Sequence, residues 1–467
     1  MAKWNTTLLA GFGAVAIACN GGNETDTTDT TDTTDTDETV AVDGITCENN
    51  VCTIEGGVYT GNISLTADND YVLGGIVFIG EDDMSETGAL SIDAGTTIYG
   101  ANESAVIISR GSTITAEGTA EAPIVFTSAK EDGARGAGDW GGLVINGQAT
   151  NNAGAEVIGE AGTGTHGGTN DADSSGSLKY VRVEYGGFEI DSENQVNGIA
   201  FQSVGSNTEV DFVQVHLNKD DGVEFFGGAV DVKHLVITGA GDDAFDWTQG
   251  WHGNAQYVVL QGANRSERGI EADNLEDNND ATPRAEPFLA NFTIVGSGDD
   301  QGDISKEGVV LRRGTAAHLT NFVITEAGKG CIDIDDVATY DNAHDGNAFS
   351  GNLTVDYSLV HCAQHNDGDD FRSGDDVEKD KSGTVTWTPP FTMAEWWANG
   401  TGNTAADPML ADASNLIMPN FAPDAGSVVL GNGGVPDTYG DFFEAADFMG
   451  AVGDMDWTAG WTDYAAN

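Results

Sequence analysis

The sequence predicts an all-β fold built as a parallel β-helix, and three observations lead there. First, from about Val58 the chain is a succession of short alternating apolar segments, among them Ala89–Ile92, Ala105–Ile108, Thr113–Ala116 and Ile124–Phe126. Strict alternation with frequent turns, and no long window of helical periodicity, argues for strands. Second, the chain carries 64 Gly but only 9 Pro among 467 residues with no collagen-like triplet, which fits many tight turns between strands. Third, the centre is periodic. Phe212–Val215 precedes Asp220–Phe225, and about 22 residues later His234–Ile237 precedes Asp242–Trp247. Tyr257–Leu260 with Gly269–Ala272, Phe292–Val295 with Gly308–Leu311, and Phe322–Ile324 with Gly330–Asp333 continue the pattern that Tyr180–Val183 begins. A period near 22 with two or three short strands per repeat is that of a β-helix coil, whereas a propeller blade needs about 40 residues and four strands.

The elements follow in order. Residues 1–19 read as a signal peptide of lipoprotein type. Lys3 supplies a positive start, Leu8–Ala18 is an apolar run too short for a bilayer span, and Ala18 stands before Cys19, the expected lipidation site. An ordinary secretory signal is the alternative, and both export the protein. Residues 20–40 are a Thr/Asp tract with almost nothing to bury, expected to be a disordered tether. Residues 41–75 are expected to cap the solenoid, 76–372 to form the β-helix, and 373–467, where the period is lost, to cap the far end. Trp387, Phe391, Trp396 and Trp397 form one aromatic cluster there, and Trp457 and Trp461 another. A solenoid needs covered ends, since an exposed terminal coil invites edge-to-edge association. Cys47, Cys52, Cys331 and Cys362 are an even set without C-x-x-C, so two disulfides are expected rather than a thiolate metal site. Four cysteines allow three pairings; Cys47 with Cys52 would pin a local loop, and Cys331 with Cys362 would bridge neighbouring turns.

Charge narrows the function. With 76 Asp+Glu against 18 Lys+Arg the formal net charge is −58, and the acidity is not a property of the tether alone. Such a surface excludes electrostatic binding of nucleic acid and docking on anionic lipid by charge. Self-repulsion on this scale calls for high salt, bound divalent cations or an elongated shape.

Two stretches carry a family resemblance. Ala122-Pro123-Ile124-Val125-Phe126-Thr127-Ser128 followed by Gly138-Asp139-Trp140-Gly141-Gly142-Leu143, and Phe448–Gly453 followed by Asp456-Trp457-Thr458-Ala459-Gly460-Trp461-Thr462, resemble secreted bacterial right-handed β-helix proteins, pectate-lyase-like solenoids that include many lipoproteins. The resemblance spans roughly residues 55–467. It implies a right-handed parallel β-helix, exported and lipid-anchored at a bacterial cell surface or outer membrane. These motifs are structural and carry no activity over.

The registered repeat predicts where chemistry could sit. Val223, Phe245 and Ile270 should stack inward from consecutive coils, as should Phe225, Trp247 and Ala272. Glu224, Asp246 and Glu271 between them must point out of the coil, because side chains alternate along a strand. With coils about 4.8 Å apart these form a carboxylate ladder, flanked by Asp220, Asp221, Asp242 and Asp243. Like charges so aligned must raise one another's pKa, bind cations, or be offset by bases such as Lys219, His252, Arg265 or Arg268. Three readings compete. A hard cation such as calcium (Ca2+) would take Asp221, Glu224, Asp243, Asp246 and Glu271, with further acids at Asp333, Asp335 and Asp336 and at Asp367, Asp369 and Asp370. Paired carboxylates could instead serve glycoside hydrolysis. Asn218-Lys219-Asp220 and Asp242-Asp243 resemble the first two motifs of β-helix polygalacturonases, and Trp251-His252-Gly253 partly resembles the third. His252 comes too soon after Asp243 for the next coil, however, and no R-x-K follows. That reading centres on Asp220, Asp221, Asp242, Asp243, His252 and Arg265. The third reading has turn Asp residues capping their own backbone. Arg312-Arg313 could hold an acidic sugar but more simply pairs with local acids, and His216 with His234 could form a metal pair or be isolated surface residues. The preferred reading is a non-enzymatic surface scaffold for adhesion, glycan and cation binding. The alternative is a calcium-dependent hydrolase or lyase acting on acidic polysaccharide.

Overall fold

The structure, a computed structural model, describes residues 43–191, 194–298, 307–362, 370–371, 386–436 and 440–466. Cys19 and the tether lie outside them, as do Asp367 and Asp369.

The chain enters through a hairpin, Ile45–Glu48 against Val51–Ile54. Its two-residue turn, Asn49-Asn50, has both residues at positive φ (52° and 62°), which matches the right-handed twist of a hairpin and suits Asn. Cys47 lies opposite Cys52 and is bonded to it. Val51–Ile54 then pairs in parallel with Asp70–Leu73, which pairs with Thr97–Gly100. Coil pairing thus begins at Val51, ahead of the boundary expected at 76.

From there the strands stack in parallel as the repeat predicts. One sheet places ten strands in sequence order, from Gly57–Tyr59 through Val223–Phe226, Phe245–Thr248 and Ile270–Ala272 to Gly330–Ile334. Val223 aligns with Phe245 and Ile270, Phe225 with Trp247 and Ala272, and all six are fully buried in the lumen. These columns are apolar because each inward side chain meets only its counterparts above and below and the opposite wall. The larger sheet bends within its strands. Its register omits Tyr180, Phe212, His234, Tyr257, Asn291 and Asn321, each at φ between 47° and 60°. One left-handed residue per coil therefore turns the wall, and its side chain leaves the lumen. Four of these rings stack in succession: Tyr180 on Phe212 at 4.5 Å, Phe212 on His234 at 4.2 Å, and His234 on Tyr257 at 5.1 Å. Stacking offsets part of the cost, about 1–2 kcal/mol per residue, of left-handed backbone.

The second disulfide joins Cys331 and Cys362 from successive turns. Beyond it, helix Met393–Asn399 starts with a capping box between Thr392 and Glu395 and buries Trp396 and Trp397. Trp396 donates from Nε1 to Leu353 O at 3.1 Å, so this segment covers the last coils. The remainder differs from the cap expected of 373–467. Residues 440–466 run back along the outer face of the bent sheet, where amide side chains hold their backbone. Gln256 takes Glu444 N–H and donates to Glu444 O, Asn291 donates to Phe448 O and Gly450 O, and Gln214 does both at Asp463. Trp457 and Trp461 stand edge-on to the Phe212 ring at 6.2 and 6.0 Å. The physical reason is the corner itself: a column of outward rings needs an apolar cover.

Candidate functional site: a buried carboxylate ladder

The turns before strands Val223–Phe226 and Phe245–Thr248 each present an acid to the next coil. Asp221 Oδ1 accepts the Asp243 N–H at 3.0 Å, and Asp243 Oδ1 accepts the Arg268 N–H at 2.8 Å. Gly222 follows because the coils leave no room there; a Cβ would lie 2.3 Å from Ile237 Cγ2. These acids therefore cap backbone of the next coil, not of their own turn as the capping reading had it.

Carboxylates from these turns and strands converge. Asp220, Asp221 and Asp242 each place a carboxylate oxygen within 4.8 Å of the others, and so do Asp221, Glu224 and Asp246, with Asp221 shared. At an effective dielectric of about 20, each ionised pair this close costs about 3–4 kcal/mol. Burial, then the neighbouring acids, pushes Asp221, Glu224 and Asp246 well above the usual carboxylate range. Burial, then Glu267, raises Asp242 to about 7, and burial raises Asp243 to about 7 against the pull of Arg268. Burial, then Asp243, raises Glu271 to about 7.

The sequence expectation holds in direction and fails in exposure. Glu224, Asp246 and Glu271 align across coils and leave the lumen, yet each is only 7–8 % exposed. The outer face of this sheet is covered. Between strands Leu143–Asn146 and Gly176–Glu184 the chain makes an excursion, residues 147–175, that folds over it. Asn146 donates to Thr163 O, Gln202 donates to Thr163 Oγ1, and His166 Nδ1 is hydrogen-bonded to Ser203 Oγ at 2.8 Å. Ala161 packs on the apolar patch of Ile107, Val144, Val196, Ala200 and Phe226. The excursion brings an acid that the repeat could not reveal: Asn197 Nδ2 donates both to Glu160 Oε2 at 3.1 Å and to Glu224 Oε2 at 2.6 Å. Burial, then Asp220, raises Glu160 to about 8.

The expected metal set divides in two. Asp221, Glu224 and Asp246 come together, while Asp243 and Glu271 are held by Arg268 Nη1. Arg312 also bonds Glu271 and reaches Asp273 at 2.8 Å, and Arg313 pairs with Asp273 and Glu276. Of the expected bases, Arg268 neutralises the ladder, and Arg312 joins it because its strand is the next one in the sheet. The Arg265 guanidinium lies beside Gly241, next to Asp242. His252 is elsewhere, hydrogen-bonded to Gly250 O and 4.0 Å from Asp171. The catalytic set thus brings Asp220, Asp221 and Asp242 together and leaves His252 outside.

Three of the other expected acids hold backbone N–H groups. Asp336 caps helix Val337–Ala343 and accepts the Arg313 N–H, Asp335 bonds the Asp336 N–H, and Asp370 accepts the Cys362 N–H. His216 and His234 form no metal pair: His216 is buried between Thr238 Oγ1 and Ala465 O, and His234 pairs with Asp211 inside the ring stack.

Three buried acceptor oxygens remain to be accounted for near these coils. Asp246 Oδ1, Asn197 Oδ1 and Asn218 Oδ1 are buried and make no hydrogen bond among the described residues. A buried acceptor without a donor is costly, and clustered carboxylate and amide oxygens are the ligand set of a hard cation. The residues fit an ion of calcium's type.

Residues 57–409 match the family model for the pectate-lyase-like beta helix domain. A search of curated proteins finds no match to the sequence. A match over most of the chain, on a stack of parallel coils with this register, places the protein in the pectate-lyase-like β-helix family.

Proposed function

We propose that the protein is a non-enzymatic β-helix scaffold, loaded with calcium-type cations, that serves adhesion or glycan binding at a cell surface. The observation behind this reading is that Asp221, Glu224 and Asp246 converge within 4.8 Å while each is more than nine-tenths buried. That arrangement suits an ion. Cations would relieve the ladder's self-repulsion, and more of them on the acidic exterior would bridge to acidic glycans. In the same reading the protein is exported and anchored through a lipid on Cys19, with residues 20–40 as the spacer. Retention of a Cys19→Ala variant in the membrane fraction would sink the anchor.

One observation favours the alternative, a calcium-dependent hydrolase or lyase of acidic polysaccharide. Asp242 is the least buried member of its trio, so that end of the ladder opens towards solvent. A single assay separates the two. A panel of polysaccharides is incubated with the parent and with the Asp221→Asn/Asp243→Asn double variant, in calcium and in chelator, following reducing ends and unsaturated products. The scaffold reading expects no turnover and calcium-dependent retention of the protein on immobilised acidic glycan. Turnover by the parent that the double variant loses would replace it with the enzyme.

A further inference from the structure

The two ends of the solenoid are closed differently. At the far end helix Met393–Asn399 covers the last coils through Trp396. At the near end the hairpin strand Ile45–Glu48 covers only Val51–Ile54 of the first coil. The other strands of that coil, Gly57–Tyr59 and Gly61–Leu65, each pair with the next coil and have no strand on their outer side among the described residues. The lumen beneath them is sealed: Tyr59, Ile63 and Leu65 are buried, and the Tyr59 hydroxyl lies 3.0 Å from Gly44 O and 2.8 Å from Glu55 O. What is open is the backbone. Successive residues of a strand turn their N–H and C=O to opposite neighbours. The Gly61 N–H bonds Thr87 O and Leu65 O accepts the Asp93 N–H, so residues 61, 63 and 65 face the next coil. Asn62 and Ser64 therefore turn their N–H and C=O away from it. So does Val58, since Tyr59 O accepts the Gly80 N–H. Natural sheet edges are blunted by Lys, Pro or a bulge. Residues 57–65 contain no Lys or Pro, and both strands keep an unbroken register. Val58 on this edge is 48 % exposed.

We propose that this open edge is a docking site for an extended, basic segment of another protein, which adds as a strand along Gly61–Leu65. Backbone pairing to Asn62 and Ser64 would supply the affinity of such strand addition, and charge selects the partner. Residues 43–109 carry eleven acids and no Lys, Arg or His. Exposed acids stand at both ends of the edge: Glu86 accepts from Thr60 Oγ1 at 3.1 Å just before it, and Asp68 and Asp70 follow it. A strand that alternates Lys or Arg with β-branched residues meets both demands. The same charge disfavours the other occupants. Residues 20–42 of this chain carry seven acids and no base, and the same end of a second copy would bring the eleven acids again. Head-to-tail stacking of copies is opposed by the helix that covers the far end.

The test uses the whole protein and a capped peptide of three Lys-Val repeats, with a peptide of three Glu-Val repeats as control. Amide exchange is followed residue by residue, and binding by fluorescence anisotropy. Without peptide the Asn62 and Ser64 amides should exchange about a hundredfold faster than those of Ile63 and Leu65, which the ladder holds. The Lys-Val peptide should slow them about tenfold at saturation, and the Glu-Val peptide should not bind. Ser64→Pro removes an outward N–H without taking a bond from the ladder. It should melt as the parent does and bind the Lys-Val peptide about tenfold more weakly. If it melts lower, Asn62→Pro replaces it, since that N–H faces the same way. Equal binding by parent and proline variant would overturn the proposal and leave charge attraction alone. Slow exchange at Asn62 and Ser64 without peptide would overturn it as well. In a monomer it would mean that the chain's own residues fill the edge, and in a dimer, read by sedimentation, that a second copy does.

Discussion

Replacing Asp246 by Asn tests the cation reading at its most sensitive point, because the expected gain in stability depends on calcium. The substitution keeps the shape and removes one charge from the trio of Asp221, Glu224 and Asp246. If all three were ionised, it would relieve two repulsions of about 3–4 kcal/mol each. Burial and the neighbouring acids push all three up from the usual carboxylate range, which lessens the repulsion in the parent. The gain in chelator is then about 2–4 kcal/mol. An unfolding entropy of about 2 cal/mol/K per residue converts 1 kcal/mol into about 1 °C for a chain of this size, so Asp246→Asn should melt about 2–4 °C above the parent in chelator. In calcium that margin should shrink to about zero. A site filled at a hundred times its Kd contributes about 2.7 kcal/mol, and the variant loses that contribution. Differential scanning calorimetry of both proteins in both conditions reads the four values. A variant that melts higher by the same margin with and without calcium would refute the argument, since the trio would then be mere repulsion. A variant that melts lower in both would show that Asp246 is held by contacts of its own.

Three further outcomes follow from the same geometry. Arg268→Met leaves Asp243 and Glu271 buried beside one another without their shared guanidinium and should cost about 3–5 kcal/mol in chelator, measured by urea unfolding; a loss under 1 kcal/mol would mean protons replace the arginine freely. Phe225→Ala empties a fully buried column position stacked on Phe201 at 5.2 Å and on Trp251 at 4.2 Å, and should cost about 3–5 kcal/mol, with hydrogen exchange rising first in the coils on either side. Burial pulls His166 down from 6.5 to about 4, so its folded state stays neutral where an unfolded histidine takes up a proton. Its contribution to stability is complete above pH 6.5 and falls by about 3 kcal/mol as pH drops towards 4. An NMR titration of the His166 ring with a midpoint near 6.5 would show that the excursion does not seal it.

Much of the fold was legible along the chain because a solenoid contacts itself at nearly constant sequence distance. The pairing of Val213 with Leu235, or of Val223 with Phe245, follows from periodicity alone, and so do the lumen columns. The outward ladder of Glu224, Asp246 and Glu271 follows from strand alternation. Cys331 with Cys362 was one of three pairings that arithmetic left open, and the stacking of neighbouring coils selected it. The cover was not legible. Residues 147–175 have no period, and nothing in the order of residues says that Glu160 will meet Asn197 and Glu224. Nor does it say that Trp461 will lie against Phe212 rather than over the last coil.

The sequence by itself determined the architecture, the register and the alignment of acids, because each depends on side-chain alternation and on a repeat that returns every residue to its counterpart one coil away. Only the tertiary structure decided whether those acids face water or protein. It also decided which of them Arg268 and Arg312 neutralise, and which converge on one point. Those outcomes depend on segments outside the repeat and on separations of a few ångströms. At that range burial decides whether a row of carboxylates is a solvated surface or a cage for a cation.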